Sequence, residues 1–387
     1  MTLQLTEDQR MVQELARSFA EREAGPRADE LDKTGRFPAQ SIQKMAEIGL
    51  MGLTIPERYG GAGLDELCKV LAITEIARGC ASTAEILAVH SFVSEIILKH
   101  GSEAQKEKYL PMAAAGGVGA FALTEPNAGS DAGSIRTRAV PDGDGYILDG
   151  SKCFISNMGE GEGDYVVVFA LTDPEQGTRG MTAFLLDRDT PGFRLGKTEE
   201  KMGLRGAAVS ELIFDGCRVP GSSVLGQVGA GFQIAMSGLD GGRVGIAAQS
   251  VGLARAALDE AVTYAKQRIQ FGRPIADQQG IQWYLADMAT RIEAAQGLVY
   301  AAADLRMRGE PAEKAASMAK YYASETAVYV AGLALQIHGG YGYMKDYPIE
   351  RIYRDARILT IYEGTSEIQK LVIARRLLRE HGTEKGG

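Results

Sequence analysis

The sequence predicts a mostly helical α+β protein whose domains follow the order helices, strands, helices. Residues 1–118 and 231–387 have helical hydrophobic periodicity, and residues 119–230 hold short β-rich runs separated by Gly, Asp and Pro. A length of 387 residues agrees with two or three domains. We therefore expect an N-terminal helical domain (1–118), a central antiparallel β-sandwich or barrel (119–230) and a C-terminal four-helix bundle (231–387).

The N-terminal region opens with a helix-start signal. Thr6 and Gln9 have the spacing of a capping box. The apolar residues after it are three or four positions apart, as on one helix face: Val12, Leu15, Ala16 and Phe19. The stretch "SIQKMAEIGLMGL" predicts a further helix broken at Gly49, and "YGGAG" (59–63) predicts a turn before two more helical stretches that reach about Ala115.

The central region changes to strand periodicity. Its β-rich runs include "GYILDG", "SKCFISN", "DYVVVFAL", "MTAFLLD" and "SELIFDGCRVP". No helical pattern of useful length separates these runs, so we expect antiparallel strands rather than parallel βαβ units. The C-terminal region is helical and rich in alanine over 231–268, 278–308, 311–337 and 365–380, which suits a close-packed bundle.

Composition excludes several classes of function. The net charge is −8 and the pI is about 5.3, which disfavours nucleic acid or an anionic membrane as a partner. No apolar run approaches membrane-spanning length and the N-terminus lacks a leader pattern, so we expect a cytoplasmic protein. Four cysteines without zinc spacing predict reduced, mostly buried thiols and no metal site.

Common nucleotide and hydrolase motifs are absent, but four other stretches are distinctive. They are "FALTEPNAGSDAGSIRT" (121–137), "YAKQRIQFGRPI" (264–275), "LQIHGGYGY" (335–343) and "IYEGTSEIQ" (361–369). Taken singly, each has an ordinary structural interpretation as a hairpin loop or a helix cap. Each also suits ligand binding, since backbone N–H groups near Gly129 can hold an anion and paired glycines allow close approach.

These four stretches, in this order and at these separations, resemble the FAD-dependent acyl-CoA dehydrogenases, most closely the short-chain (butyryl-CoA) members. The resemblance covers essentially the whole chain and implies the same helix–strand–helix architecture. It also implies FAD as cofactor, an acyl-CoA substrate, electron-transferring flavoprotein as electron acceptor and a homotetramer.

The resemblance assigns a set of cofactor-binding residues. Those implied to line the flavin and its pyrophosphate are Phe121, Leu123, Thr124, Gly129, Ser130, Phe154, Ile155 and Ser156. Those implied to reach the FAD of a neighbouring subunit are Arg268, Gln279, Gln336, Ile337, His338, Gly339 and Gly340. Thr365, Ser366 and Glu367 match positions at the start of the last helix, where an N-terminus can hold a phosphate; Ser366 and Gln369 have capping-box spacing. Short-chain members usually have Trp where this chain has Phe154.

Glu363 is the catalytic residue that the resemblance implies. A carboxylate within reach of the substrate removes the α-proton, while the β-hydride leaves to flavin N5. Its own backbone N–H would stabilise the thioester oxygen. The structural alternative is that Glu363 merely caps a helix. One branch of the family takes its base from an "LD-x-x-R" helix, but this chain reads "LDGGR", so Gly242 fills that slot. The implied substrate-side residues are Ser130, Asp240, Gly241, Gly242, Arg243 and Gly364.

The substrate is expected to be a short straight or branched acyl-CoA, with a medium-chain acyl-CoA as the alternative. Glutaryl-type relatives have an Arg where this chain has Ala84, which argues against a dicarboxylate. Glu85 would also argue against a dicarboxylate if it faced the pocket, but we interpret it as a solvated helix residue. Two rival functions are a nitroalkane-oxidase-like flavoenzyme, which typically uses Asp as the base, and a non-catalytic acyl-CoA-binding protein.

Overall fold

The computed structural model describes residues 4–159 and 161–382, and its elements follow the predicted helix–strand–helix order. The helices are α1 (Glu7–Phe19), α2 (Ala28–Thr34), α3 (Ala39–Glu47), α4 (Glu66–Gly79), α5 (Ala81–His100), α6 (Glu103–Ala114), α7 (Gly231–Gln267), α8 (Gln279–Met307), α9 (Glu313–His338), α10 (Ile349–Ala356) and α11 (Ser366–Gly382). The strands are β1 (Gly119–Ala122), β2 (Arg138–Asp142), β3 (Gly145–Ser156), β4 (Tyr165–Leu171), β5 (Met181–Asp187), β6 (Phe193–Thr198), β7 (Val209–Pro220), β8 (Val224–Leu225), β9 (Ile269–Gln270) and β10 (Arg273–Pro274).

The N-terminal helices form around α5, which is almost wholly buried. The predicted capping box starts α1: the side chains of Thr6 and Gln9 each bond the other's backbone N–H. By length and mean hydropathy α5 is apolar enough to cross a membrane, contrary to the sequence expectation that no such segment exists. Since 89% of its apolar window is buried inside the fold, α5 is a core helix.

The central sheet is mainly antiparallel, in the order β6-β7-β3-β2-β4-β5-β8. The prediction of antiparallel strands fails at β4, which pairs in parallel with β1, with Gly119 opposite Tyr165, and through one bridge with β2. The chain reaches this pairing without a crossover helix: it passes through the 123–137 loop and the β2–β3 hairpin. The two halves of the sheet meet through a single bridge between Arg138 and Leu171, which lets the sheet fold over on itself.

Two apolar layers result from this folding of the sheet. Between its halves, Leu148 and Leu212 pack with Val166 and Phe184. On the other face of β4 and β5, alternate side chains such as Val167 pack against α5 and α6. The β-domain is therefore attached directly to the N-terminal helices.

The C-terminal helices α7, α8, α9 and α11 pack together, and α7 also packs against α4 and α5. Glycines on α7 allow close approach. A Cβ at Gly231 would lie 2.7 Å from the backbone of Thr182 in β5, one at Gly238 would lie 2.4 Å from Ile96, and one at Gly252 would lie 2.1 Å from the carbonyl oxygen of Thr74. Helix α7 thus touches both other domains along its length.

Candidate active site

Glu363 lies in a tight turn between a short 3-10 turn (Arg357–Thr360) and α11. Both Glu363 (φ 53°) and Gly364 (φ 89°) are in the left-handed region. The Gln369 side chain donates to the carbonyl oxygens of Glu363 (3.1 Å) and Gly364 (2.9 Å), and Lys320 Nζ donates to that of Gly364 at 2.7 Å. Side chains from two helices therefore hold the backbone on both sides of the carboxylate.

Of the two residues that the sequence offers as N-cap of α11, Thr365 and Ser366, Thr365 has the N-cap hydrogen bond, since its Oγ1 accepts from the backbone N–H of Ile368 at 3.3 Å. Ser366 instead donates to Glu325 at 2.5 Å. The predicted capping box of Ser366 with Gln369 is wrong, because Gln369 serves the Glu363 turn. Glu367 is exposed in the first turn of the helix.

Glu363 is partly exposed as a residue, but one oxygen of its carboxyl, Oε2, is buried against α7. Its Oε2 has no hydrogen-bond partner among the described residues. A Cβ at Gly242 would lie 2.6 Å from this oxygen, so the absent side chain makes room for the carboxyl. Burial raises the pKa of Glu363 to about 7, opposed by the charges of Arg243 and Lys320 and assisted by that of Glu85.

Lys320 on α9 was not predicted from the sequence, where it is one lysine in an alanine-rich helix. It is fully buried, and burial lowers its pKa to about 8 against the opposing effect of Glu363. Its ammonium group reaches the turn carbonyl rather than forming a close ion pair with the carboxylate. Lys320 therefore holds the turn and places a positive charge near Glu363.

Asp240 and Arg243 on α7 bond each other at 2.9 Å. Arg243 is 6% exposed, and its Nε is buried without a partner among the described side chains. Gly241 lies on a different side of the helix: a Cβ there would meet Glu95 and Arg306, which bond each other. The structure thus brings Gly242 and Arg243 to Glu363 and directs Gly241 away from it.

Glu85 on α5 is not a solvated residue as the sequence suggested. It is 2% exposed, and its Oε1 accepts from Ser156 Oγ, at the end of β3, at 2.7 Å. Burial raises the pKa of Glu85 to about 7. The expectation was wrong because α5 is surrounded on all sides, so no face of it is left for solvent.

The loop after β1 is organised by Glu125, another residue that sequence reasoning missed. This buried carboxylate pairs with Lys152 at 2.7 Å and accepts the backbone N–H groups of Arg136 and Thr137. Gly129 and Ser130 are exposed at the tip of the loop, and Thr124 is partly exposed. The loop is therefore a fixed structure that presents a hydroxyl and backbone groups.

The predicted aromatic wall at the end of β3 has an unusual backbone. Phe154 has φ 58° and is 65% exposed, where the register of β3 with β7 shifts. Ile155 is 2% exposed in the core between the sheet halves, so only its backbone is left to meet a ligand. Leu123 is likewise a core residue, and Phe121 packs against Phe92.

A second group of predicted cofactor residues lines a separate cleft of about 570 Å³. Arg268 and Ile337–Gly340 meet there with Tyr264 and Tyr341. His338 stacks on Tyr264, and its Nε2 is buried without a partner in the described chain. The residues lining this cleft differ from those around Glu363. Gln279 and Gln336 are exposed.

Three family models match this chain. They are the acyl-CoA dehydrogenase N-terminal domain (residues 6–117), middle domain (120–217) and C-terminal domain (229–378). The chain is 53% identical to acryloyl-CoA reductase (NADH) of Anaerotignum propionicum over 98% of this chain and 96% of that protein.

Two solved structures have the same fold. Butyryl-CoA dehydrogenase from Megasphaera elsdenii gives a TM-score of 0.95 at 45% identity, over 98% of this chain and all of that one. A chain from a study of the electron transferring flavoprotein of Acidaminococcus fermentans and flavin-based electron bifurcation gives 0.96 at 49% identity, with the same coverage.

Proposed function

The chain belongs to the acyl-CoA dehydrogenase family of FAD-dependent oxidoreductases, and from this we propose that it converts a short-chain acyl-CoA to the trans-2-enoyl-CoA with Glu363 as the base. The observation that carries the proposal is the Glu363 carboxyl, whose buried Oε2 has no hydrogen-bond partner among the described residues and faces the gap left by Gly242.

Glu363 suits proton abstraction from a weak carbon acid. A base works best with a pKa near the working pH, and burial gives Glu363 a pKa of about 7. The charges of Arg243 and Lys320 favour the ionised form of Glu363, which is the form that can accept a proton. The turn bonded by Gln369 and Lys320 holds the carboxyl in place, and the backbone N–H of Glu363 is the proposed donor to the thioester oxygen.

The described residues fit FAD. Partly exposed or exposed hydroxyls at Thr124 and Ser130 and the α11 N-terminus offer donors to a pyrophosphate. Phe154 offers an exposed ring. The unpartnered Nε2 of His338 marks the second cleft as a polar binding surface. When bound, the flavin supplies the acceptor for the β-hydride; the residues named here hold it and exclude water.

A homotetramer follows as part of this proposal. Because the cleft of Arg268 and Ile337–Gly340 is separate from the Glu363 site, a second subunit is the natural source of a flavin for it. Electron-transferring flavoprotein is the proposed electron acceptor, supported by the similarity to a chain solved in a study of that protein.

The acyl chain is proposed to be short, as in the butyryl-CoA dehydrogenase that this chain resembles, and to carry no second carboxylate. Ala84 and Glu85 lie side by side on α5, and Glu85 contacts Ser156. Ala84 offers no cation to a second carboxylate, and the nearby carboxyl of Glu85 would repel one. Medium-chain acyl-CoA is the alternative within the same reaction.

Anaerobic titration tests the proposal. We expect butyryl-CoA to bleach the flavin absorbance of the wild type, octanoyl-CoA to bleach it more slowly, and Glu363→Gln to lose bleaching while it keeps FAD, since glutamine cannot accept the proton. A variant that still bleaches at a similar rate would refute Glu363 as the base. A wild type that nitroethane bleaches and acyl-CoA does not would favour the nitroalkane-oxidase reading.

Reduction of a short enoyl-CoA is a second candidate, favoured by the 53% identity to acryloyl-CoA reductase. In that direction Glu363 would return the proton to the α-carbon. Reoxidation of the chemically reduced enzyme by acryloyl-CoA, faster than its reduction by propionyl-CoA, would support this direction.

A further inference from the structure

Glu85 is a buried acid that the proposed reaction does not use. It lies on α5, is 2% exposed, and has one carboxyl oxygen without a hydrogen-bond partner among the described residues. Burying an unpartnered polar atom is costly, and an apolar side chain would fill the same space without that cost. Such a group is expected where it serves a site rather than the core.

The contacts of Glu85 connect it to both sides of the proposed site. Its Oε1 accepts the Ser156 hydroxyl at 2.7 Å, two residues after the exposed Phe154. On the other side, Tyr362, which precedes Glu363, donates to Gln249, and Gln249 donates to the carbonyl oxygen of Ala81, one turn before Glu85 on α5. Burial raises the pKa values of Tyr362 and Glu363, and the charge of Glu85 adds to this effect. Glu85 thus lies between the end of β3, where the flavin is proposed to bind, and the base.

We propose that Glu85 is a positioning residue, which orients the Ser156 hydroxyl towards the flavin and places a second ionisable carboxyl beside Glu363. This inference rests on the proposed function. Ser156 is the last residue of β3, and within the described parts of the chain its hydroxyl bonds only to the carboxyl of Glu85, which fixes its rotamer. When the Glu85 carboxyl is protonated, it can donate to Ser156 Oγ, and the Ser156 hydroxyl can then donate to a ligand.

The charged groups around Glu85 determine its pH behaviour. Lys201, in the connection before β7, favours the ionised form, whereas burial and Asp355 on α10 favour the protonated form. Glu363 has a pKa of about 7, as Glu85 does. Two neighbouring carboxyls with similar pKa values lose their protons in succession, so the acid limb of a rate profile is broader than a single ionisation.

Two readouts on the FAD-loaded enzyme test this role. The first is the flavin absorbance maximum and midpoint potential without substrate, in Glu85→Leu, Ser156→Ala and the double variant. We expect both single variants to shift these properties in the same direction, and the double variant to shift them no further than Ser156→Ala alone. An unchanged flavin in Glu85→Leu beside a shifted one in Ser156→Ala, or shifts that add, would overturn the proposal.

The second readout is the pH profile of flavin reduction by butyryl-CoA. Glu85→Gln keeps an acceptor for Ser156 but cannot ionise. We therefore expect the flavin absorbance and midpoint potential of the wild type. We also expect the acid limb of the pH profile to be narrower and to move to lower pH, because removing a like charge near Glu363 lowers the pKa of that carboxyl. A profile that superimposes on the wild type would contradict the second carboxyl role.

Glu162→Gln is the matched control. Glu162 is also buried with a pKa of about 7, but its carboxyl interacts with Lys201 and Ala208 rather than Ser156. We expect it to leave the flavin unshifted. Since Glu363→Gln tests the base separately, loss of bleaching in that variant together with wild-type behaviour of the Glu85 variants would leave the proposed function intact and reject this inference alone.

Discussion

At the scale of single residues, Glu363 and Gly242 depend on each other. The carboxyl of one occupies the space where the other would have a side chain, 2.6 Å from the ideal Cβ position. Sequence motifs predicted Glu363 as the base and Gly242 as an empty slot, but not that the two residues touch. Their contact follows from the packing of the α11 turn on α7, which no local pattern encodes.

Gly242→Ala tests this contact. The added methyl must displace the end of a flexible side chain, so we expect little loss of stability but a fall in the rate of flavin reduction of at least about tenfold, because a base works only within hydrogen-bond reach. The measurement is stopped-flow reduction by butyryl-CoA. Gly245→Ala on the same helix is the control, since its Cβ would meet only ordinary contacts from 3.5 Å. Equal rates in both variants would contradict the expected displacement.

Glu363→Gln should also change stability in a pH-dependent way. The folded-state pKa of Glu363 is raised from 4.5 to about 7, so stability falls as pH rises from the unfolded pKa to the folded one. Glutamine does not ionise, so the variant avoids this loss of stability. We expect the variant to match the wild type at pH 4.5 and to gain about 1–2 kcal/mol at pH 8, with screening at the partly exposed residue reducing the gain. Denaturant unfolding at both pH values measures it; a gain that is equal at both would argue against the raised pKa.

At the scale of elements, the 123–137 loop after β1 is held by an ion pair that its sequence motif did not predict. Glu125 lies inside the "ALTEPNAGSD" stretch and Lys152 on β3, 27 positions later. The sequence predicted the loop and the strand because turn residues and alternation are local signals. It did not predict the pair, since lysine and glutamate are mostly exposed and nothing in the strand pattern marks this lysine as buried.

Lys152→Met tests the element. It leaves the Glu125 carboxylate buried without its cation, and we expect the free energy of unfolding to fall by about 3 kcal/mol. Glu125→Gln/Lys152→Met should recover part of this loss, because it removes the unpaired charge and the amide oxygen can still accept from the backbone N–H of either Arg136 or Thr137, although not from both. Urea unfolding measures both. A double variant less stable than Lys152→Met would mean that the charge of Glu125 is satisfied by the backbone alone.

At the scale of the whole molecule, periodicity predicted the three-part order because each region keeps one period over many residues. The parallel pairing of β1 with β4 and the bond between Glu85 and Ser156, 71 positions apart, were beyond it. Both depend on which faces of the helices and strands pack together; a sequence pattern predicts the apolar face of an element but not the element that it packs against.

The proposed tetramer requires subunit contacts on the surface of the chain. The hairpin β9–β10 exposes Phe271 (94%) beside Ile269 (52%).

Phe271→Asp tests the assembly. A large aromatic ring that is this exposed in a single chain is expected to be buried in a contact between subunits. Phe271 has φ 53°, which Asp adopts readily, so we expect the variant to fold. Light scattering should show assemblies of fewer than four subunits, and FAD should be lost on gel filtration. Val140→Asp, an exposed apolar position on β2, should stay tetrameric and yellow. A tetrameric Phe271→Asp enzyme with full FAD would contradict the hairpin as a subunit contact.

Helix α7 sets a limit on how this protein can diverge. Its 37 residues place Gly231 against β5, Gly242 against Glu363 and Gly252 against α4. Removing one residue between them would turn everything beyond it by about 100° and draw it back by about 1.5 Å. We therefore expect a deletion inside α7 to separate Gly242 from Glu363 and abolish the proposed activity, whereas a change of length in the mostly exposed turn at 174–180 should be tolerated.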